Sequence, residues 1–195
     1  MILYGAGGHA KNIFDCLVSV GLSLSAIFDD DRARHTFFET DIWHEYSAER
    51  LPEEKLIVSI GDNKARFVLA NKIKHPFGTV VHSSVWMATN VQIGQGTVVM
   101  AGAVLQTEAG IGQHAIINTS AIVEHECTIG NFAHIGPGAV VCGAAQVGEG
   151  ALIGANATIL PGISVGKWAI VGAGAVVTRN IDDGVKVAGN PARIV

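Results

Sequence analysis

Two carboxylates flank a single histidine in a stretch of the chain that is otherwise almost free of charge. Glu124, His125 and Glu126 follow one another, whereas the 92 residues between Lys74 and Lys167 contain no Lys or Arg and only four carboxylates. A carboxylate beside an imidazole fixes its tautomer and raises its basicity, as a general base near neutral pH requires. The alternative is an ordinary solvated pair of surface charges. The residue types therefore predict a general base at His125.

A repeat of six residues occupies the second part of the chain and must position these side chains. From Val81 to Val177 every sixth residue is apolar, and the residue four places later is most often alanine. A six-residue period fits neither a helix nor an ordinary strand, but it fits a chain that coils through short strands with a tight turn in each repeat. One aliphatic and one small side chain per repeat would fill the interior. Glycine often follows the aliphatic residue and would serve turns with unusual dihedral angles.

Residues 1–80 differ from the repeat region in composition and in pattern. They hold 20 of the 30 charged residues but only 6 of the 24 glycines. Strand-like segments at residues 2–4, 26–28 and 56–60 are each followed by polar turns, and helical apolar spacing runs through residues 13–20 and 65–73. This alternation predicts a parallel sheet with packed helices, and residues 32–52 stay an unassigned connection. The predicted domains are 1–80 and 81–195.

A glycine-rich turn, Gly5 to Ala10, joins the first predicted strand to the first helix. It fits the G-x-G-x-x-G/A fingerprint of dinucleotide-binding proteins, and acidic residues follow about twenty positions later. However, about 80 residues amount to half of a full dinucleotide fold. Backbone N–H groups at a helix start can hold a phosphate or another anion. The residues therefore leave both a nucleotide and NAD open as the ligand.

Composition excludes several classes of protein. The chain is 49% apolar and 15% charged with a mean hydropathy of +0.37, which raises the question of a membrane protein. An uncharged run at residues 127–148 contains a proline and five glycines, so no span is predicted. The chain lacks a basic stripe for nucleic acid, and its three cysteines suggest neither disulfides nor a zinc–thiolate site. Met1 is not followed by a signal-peptide pattern, so we expect a cytoplasmic protein.

The repeat, aliphatic-Gly-x-x-small-x, resembles that of the hexapeptide-repeat acyltransferases. The string from Asn118 to Gly130, followed by His134, is similar to one branch of them, the sialic-acid O-acetyltransferase and nucleotide-amino-sugar N-acetyltransferase family, in particular the bacillosamine-pathway UDP-4-amino-sugar acetyltransferases. The resemblance covers the whole chain. It implies a small Rossmann-like α/β N-terminal domain followed by a left-handed parallel β-helix. With three repeats per coil, residues eighteen apart would stack ~4.8 Å from each other.

The resemblance also implies roles for individual residues. His125 would be the general base, and Glu126 would increase its basicity. Gly143 would stack on His125 one coil later and offer a backbone N–H to an oxyanion. Asn118 would lie near the acceptor amine, and His134 could face the same groove as His125. The residues implied for the nucleotide-sugar are Gly7, Gly8, His9, Asp30, Asp31 and Gly61. Those implied for acetyl-CoA are His134, Gly143, Ala155, Ala173 and Arg193.

The implied protein is a homotrimer without a metal, with acetyl-CoA in grooves between adjacent subunits. The leading hypothesis is acetyl transfer from acetyl-CoA to the 4-amino group of a UDP-linked amino-deoxy-sugar in bacterial glycan biosynthesis. The alternatives are O-acetylation of sialic acid or another sugar, and a non-catalytic nucleotide-binding scaffold. A zinc carbonic anhydrase of another β-helix branch would need three histidines, and His114, His125 and His134 do not match its spacing. The sequence leaves open whether the acceptor atom is nitrogen or oxygen and whether the nucleotide is UDP or dTDP. It also leaves open which sugar carbon carries the acceptor and which glycan pathway uses the product.

Overall fold

The structure, a computed structural model, describes residues 1–195 as an α/β unit followed by a β-solenoid. The elements of the α/β unit are β1 (Ile2–Tyr4), α1 (Gly8–Ser19), β2 (Ala26–Phe28), β3 (Thr36–Phe37), β4 (Thr40–Trp43), β5 (Leu56–Val58) and α2 (Asn63–Ala70). The strands of the solenoid are β6 (Val80–Val81), β7 (Trp86–Met87), β8 (Gln92–Ile93), β9 (Val98–Val99), β10 (Val104–Leu105), β11 (Gly110–Ile111), β12 (Ile116–Ile117), β13 (Ile122–Val123), β14 (Thr128–Ile129), β15 (His134–Ile135), β16 (Val140–Val141), β17 (Gln146–Val147), β18 (Leu152–Ile153), β19 (Thr158–Ile159), β20 (Ser164–Val165), β21 (Ile170–Val171), β22 (Val176–Val177), β23 (Lys186–Ala188) and β24 (Arg193–Ile194).

The α/β unit contains one five-stranded sheet in the order β3-β4-β2-β1-β5. Strand β1 lies in parallel between β2 and β5, and all residues of these three strands are buried. Such fully apolar strands are typical of a parallel sheet covered on both faces. The three predicted strands and the two helices are therefore confirmed. Residues 32–52, unassigned from sequence, contain the antiparallel hairpin of β3 and β4, whose strands are too short to show a period.

The two helices have narrower apolar faces than the sequence predicts. Helix α1 buries Ile13 and Leu17, but Val18 is exposed. In α2, Ala65 and Val68 are exposed, although the apolar spacing had assigned both to the packed face. Helix α2 begins after Asp62, whose side chain accepts a hydrogen bond of 2.8 Å from a first-turn backbone amide. This N-cap satisfies one of the amides that a helix start leaves free.

The solenoid repeats every eighteen residues, as three hexapeptides per coil require. Val104 pairs in parallel with Ile122, and Leu105 pairs with Val123. The strands form three sheets. Sheet I contains β7, β10, β13, β16, β19 and β22; sheet II contains β8, β11, β14, β17 and β20; sheet III contains β6, β9, β12, β15, β18, β21, β23 and β24. The predicted fold class, an α/β domain followed by a parallel β-helix, is confirmed.

The solenoid interior is one cluster of 28 buried residues, mostly the predicted aliphatic and alanine positions. Leu105 and Ala121, for example, are fully buried. The prediction is wrong for Met87, whose exposed fraction is 44%. Met87 lies in the first coil, where no preceding coil covers it. The repeat therefore predicts the interior in the middle coils and overestimates burial at the amino-terminal end.

The glycines that follow the aliphatic positions allow close approach of neighbouring coils. A Cβ at Gly130 would lie 2.5 Å from the backbone nitrogen of Glu149, and one at Gly148 would lie 2.6 Å from that of Lys167. Neither glycine has a positive φ; the left-handed residue comes two places later and includes Glu126 (φ 59°) and Phe132 (φ 59°). The expectation that these glycines serve unusual dihedral angles is therefore wrong. They are small because the next coil's backbone leaves no room for a side chain.

Apolar packing joins the α/β unit to sheet III. Ile13 and Leu17 of α1 belong to the same buried cluster as Val98 and Ile116 of the solenoid. The division of the chain at residue 80 stays a prediction, although the first solenoid strand begins there. None of the helices has the length and apolarity needed to cross a membrane.

Candidate active site

His125 and Glu126 form a hydrogen-bonded pair at a corner of the solenoid. They lie in the turn between β13 and β14, and His125 Nδ1 is 2.9 Å from Glu126 Oε2. Both side chains are more than half exposed. Because an ionised carboxylate only accepts hydrogen bonds, Nδ1 must carry the proton and Nε2 presents its lone pair to solvent. A neutral imidazole in this tautomer can take a proton from a bound acceptor.

Gly143 lies directly beside Nε2 of His125, one coil further along the solenoid. A Cβ on Gly143 would lie 2.5 Å from this nitrogen, so only a residue without a side chain leaves room for the imidazole in this position. The carbonyl of Gly143 accepts from Gly162 N at 3.0 Å, and Ala144 N donates to His125 O at 2.9 Å. The N–H of Gly143 has no such acceptor in the chain. A free backbone donor therefore lies beside the imidazole, and its use for an oxyanion stays a prediction.

A second polar cluster lies on sheet III, next to the α/β unit. Asn118 Nδ2 donates to His134 Nε2 at 3.0 Å, and the rings of His134 and His9 lie 6.4 Å apart. Burial, assisted by the charge of Arg66, lowers the pKa of His134 to about 4, although a backbone hydrogen bond to Gly61 opposes the shift. His134 is therefore neutral near pH 7. It can donate or accept a hydrogen bond, but it is a weak base.

The two polar groups lie on opposite sides of one chain. His134 belongs to β15 in sheet III, whereas His125 lies at the corner between sheets I and II. In a coil with three sides, this corner is the one that does not border sheet III. A single chain therefore does not bring His125 together with Asn118 or His134. The expectation that His134 and His125 share a groove requires a second chain.

Five of the six predicted nucleotide-sugar residues line one cavity of about 370 Å³ at the carboxyl ends of β1, β2 and β5. Of the residues implied by the resemblance, the cavity is lined by Gly7, Gly8, His9, Asp30 and Gly61. Asp31 is not among the lining residues; its carboxylate is exposed and lies 3.2 Å from Arg34 Nε. Asp29 lines the cavity instead and accepts a hydrogen bond from Ala6 N. The carboxylates at the cavity are therefore Asp29 and Asp30.

The predicted acetyl-CoA residues are distributed over different faces. His134 lines a second cavity, of about 450 Å³, together with Gly61 and Trp168. Ala155 and Ala173 lie in successive turns of the corner between sheets III and I. The exposed Arg193 lines a third cavity, of about 420 Å³, near the carboxyl terminus. Within one chain these residues do not form one continuous site.

Comparisons with known families and structures identify both parts of the chain. The PglD N-terminal domain family matches residues 1–73, and the bacterial transferase hexapeptide family matches residues 144–179. PerB from Caulobacter crescentus, solved with CoA and GDP-perosamine, is 35% identical, with a TM-score of 0.94 over 100% of this chain and 96% of that one. The acetyltransferase domain of PglB from Neisseria gonorrhoeae, solved with acetyl coenzyme A, is 31% identical over 100% and 98%, with a TM-score of 0.90.

The chain belongs to the hexapeptide-repeat sugar N-acetyltransferases. WeeI from Acinetobacter baumannii also matches, with 27% identity, a TM-score of 0.91 and coverage of 100% of this chain and 98% of WeeI. The search of curated proteins found no match. The predicted family and enzyme class are therefore confirmed.

Two residues of this sugar N-acetyltransferase were missed by sequence reasoning. Tyr4 lines the cavity at the glycine turn and donates to Asp30 Oδ1 at 2.6 Å. Burial and the Asp30 carboxylate raise the pKa of its phenol. Arg34 also lines the cavity and pairs with Asp29 at 3.4 Å. The only available signal was the position of Tyr4 at the end of a strand, beside the glycine turn. Arg34 lies in the connection that sequence left unassigned.

The histidines offered for zinc do not form a metal site within the chain. His114 is buried, and its ring stacks on Phe132 with centroids 4.9 Å apart. His125 and His134 lie on opposite sides of the solenoid, as described above. No group of three His, Cys, Asp or Glu side chains in the chain is arranged to hold a metal ion.

Three histidines, of which His114 is buried and His9 and His134 are partly buried, make the stability of the acetyltransferase depend on pH. Burial is the largest cause that lowers the pKa of His9, His114 and His134 to about 4, from an ordinary value of 6.5. Between these two values the unfolded chain binds more protons than the folded one, so the free energy of unfolding falls as pH falls. We expect the Tm to decrease progressively from about pH 6.5 to pH 4 in a thermal-shift series.

A matched pair of variants separates the contribution of the histidines to the pH dependence of Tm from the contribution of the carboxylates. His114→Phe keeps the aromatic stack and should flatten the decline in Tm, because phenylalanine has no titrating group. The substitution loses no hydrogen bond at Nδ1, since that atom of His114 has no partner. His35→Gln changes an exposed histidine and should leave the decline unchanged. An equal decline in His114→Phe and the wild type would contradict the assignment.

Proposed function

We propose that this chain transfers the acetyl group of acetyl-CoA to the 4-amino group of a UDP-linked amino-deoxy-sugar. The observation that carries the proposal is the pair of His125 and Glu126, with the Nε2 lone pair of His125 exposed beside the free N–H of Gly143. A base and an oxyanion donor side by side are what amine acylation by a thioester needs. That the chain belongs to the sugar N-acetyltransferases supports acetyl-CoA as the donor and a nucleotide-linked amino-sugar as the acceptor.

The proposed reaction needs one proton acceptor and one oxyanion donor. The neutral amine attacks the thioester carbon, since an ammonium has no lone pair. His125 Nε2 accepts the proton that leaves the nitrogen, while Glu126 stabilises the resulting imidazolium. The N–H of Gly143 donates to the carbonyl oxygen as it becomes negative. When the C–S bond breaks, the proton on His125 passes to the departing CoA sulfur and restores the neutral base.

We assign the nucleotide to the cavity at the glycine turn. Gly7 and Gly8 offer backbone amides at the start of α1, which suit a diphosphate, and Arg34 adds a cation at the cavity wall. Asp29 and Asp30 can accept hydrogen bonds from a base or a ribose. UDP is favoured by the resemblance of the sequence, whereas PerB was solved with GDP-perosamine. The nucleotide therefore needs a direct test.

We further propose a homotrimer in which the site lies between two chains. The support is the placement of His125 and His134 on opposite sides of one solenoid, which a neighbouring chain would bring face to face. Acetyl-CoA would then lie along the groove, with His134, Ala155, Ala173 and Arg193 as contacts. We propose that no metal takes part and that the reaction occurs in the cytoplasm.

The experiment is a panel of acceptors with release of the CoA thiol as the signal. UDP-, dTDP- and GDP-linked 4-amino-deoxy-sugars are compared with the corresponding 4-hydroxy sugars and with sialic acid. We expect turnover with the UDP-4-amino-sugar and at most weak turnover with the others. Faster turnover of a GDP- or dTDP-sugar would overturn the choice of nucleotide, and turnover of only hydroxyl acceptors would favour an O-acetyltransferase. Absence of any turnover would favour a nucleotide-binding scaffold.

A further inference from the structure

Arg66 is a buried cation whose hydrogen bonds all go to uncharged oxygens. It lies in α2 with an exposed fraction of 1%. Its Nε donates to His114 O at 2.9 Å, and its Nη2 donates to Phe132 O at 2.8 Å and to Asn63 Oδ1 at 2.9 Å. Its Nη1 donates to Ile60 O at 3.0 Å and to Gly61 O at 3.1 Å. Five acceptors thus occupy the whole guanidinium fork.

Three of the carbonyls bound from α2 belong to successive coils of the solenoid. Arg66 binds the carbonyls of His114 and Phe132, and Asn63 Nδ2 binds that of Gly150 at 3.0 Å. These carbonyls are eighteen residues apart, hence ~4.8 Å apart along the solenoid. Residues three apart in a helix are ~4.5 Å apart along its axis, so Asn63 and Arg66 match the spacing of the coils. These two side chains of α2 therefore bind three successive coils at the corner between sheets II and III.

The same guanidinium holds a segment that both substrates would touch. Ile60 and Gly61 line the nucleotide cavity, and Gly61 also lines the second cavity with His134. Their two carbonyls are bound by Arg66 Nη1. The fork therefore joins this segment to the solenoid corner through one rigid planar group.

We propose that Arg66 is a positioning residue for acetyl transfer, whose guanidinium fork fixes the Ile60–Gly61 segment against the solenoid and so sets the wall that the two cavities share. The inference rests on the proposed function, because that function places the nucleotide-sugar in the first cavity and acetyl-CoA against His134, which lines the second. Arg66 itself lines neither cavity. It acts through the segment that it holds.

The energetic cost of Arg66 is consistent with a specific role. Burial lowers the pKa of Arg66 to about 10, and Asp62 opposes this shift. A buried charge is often replaced by packed apolar side chains without loss of stability, so stability alone does not explain a buried arginine. The charge of Arg66 also contributes to the lowered pKa values of His9, His114 and His134. Both the fork and the charge are therefore open to separate tests.

The test compares Arg66→Lys, which keeps the charge, with Arg66→Met, which keeps most of the length and removes the charge. Lys72→Met, at an exposed position after α2, is the control. We expect both Arg66 variants to raise the KM for the nucleotide-sugar by about tenfold or more, since lysine cannot reach five acceptors in fixed directions. We expect Lys72→Met to match the wild type. A lowered Tm with unchanged KM and kcat per folded molecule would reduce Arg66 to a structural role and overturn the proposal.

Histidine titration by NMR gives a signal that does not depend on turnover. In Arg66→Met the pKa of His134 should rise, whereas in Arg66→Lys it should stay low. If neither variant folds, the Arg66 Nε–H resonance of the wild type is followed while UDP is added. A shift supports the proposal, and an unchanged resonance at saturating UDP overturns it. A wild type that acetylates no nucleotide-sugar defeats the proposed function, and the NMR arms still report whether Arg66 senses the nucleotide.

Discussion

Replacement of His125 by alanine is expected to lower kcat by ~10²–10⁴-fold, the usual contribution of a positioned general base. The affinity for the nucleotide-sugar should be unchanged, because the cavity that we propose for it lies in the α/β unit and does not include His125. The measurements are steady-state thiol release and calorimetric titration with the nucleotide-sugar. The two together separate a loss of chemistry from a loss of binding.

His35→Ala provides the matched control for this experiment. His35 is an exposed histidine outside the solenoid, so its removal should leave both kcat and binding at the wild-type level. If His125→Ala kept near wild-type turnover, the assignment of the base would be wrong. If it lost nucleotide-sugar affinity to the same extent as turnover, His125 would be a binding residue instead.

The second large effect is expected from Gly143→Ala. The added Cβ would lie 2.5 Å from His125 Nε2, so the imidazole must move away from its present position. A misplacement of about 1 Å at a reacting group can cost ~10²-fold in rate, and we expect a loss of kcat of this order. The Tm should change little, because φ at Gly143 is not positive and the displaced side chain is exposed and can move.

Gly110→Ala is the control for the added methyl group. A Cβ at Gly110 meets no atom within 4 Å, so this variant should keep its activity. A crystal structure of Gly143→Ala should show the His125 ring rotated out of contact with residue 143. Full activity with a displaced imidazole would contradict the role of His125, and full activity with an undisplaced one would contradict the geometry.

The solenoid was predictable because its pattern repeats. An insertion at any of the apolar positions from Val81 to Val177 would have shifted the spacing, and none did. The same regularity placed Gly143 one coil from His125, which the structure bears out at the level of atoms. The spacing could not predict the end effect at Met87, because a repeat contains no information about which coil is covered. It also misattributed the glycines that directly follow the aliphatic positions to unusual dihedral angles, although close contact with the next coil is the cause.

The polar contacts between elements were not predictable from the sequence. Asn118 and His134 are sixteen residues apart, which is not the repeat distance. Their side chains are nevertheless hydrogen-bonded, because Asn118 follows β12 and His134 lies in β15, the neighbouring strand of sheet III. Arg66 was missed because arginine in a short helix is usually exposed. Only the docking of α2 on the solenoid shows that its fork is buried. The proposed approach of His125 to a second chain could not be predicted from the periodicity of one chain.

The most direct test of the central claim is a crystal structure of the assembled protein with CoA and the UDP-4-amino-sugar. The proposed mechanism predicts that the sugar nitrogen lies ~3 Å from His125 Nε2, within reach for proton transfer. It also predicts that this His125 belongs to the chain adjacent to the one whose α/β unit holds the nucleotide. A sugar nitrogen far from every His125, or next to another base, would contradict the account.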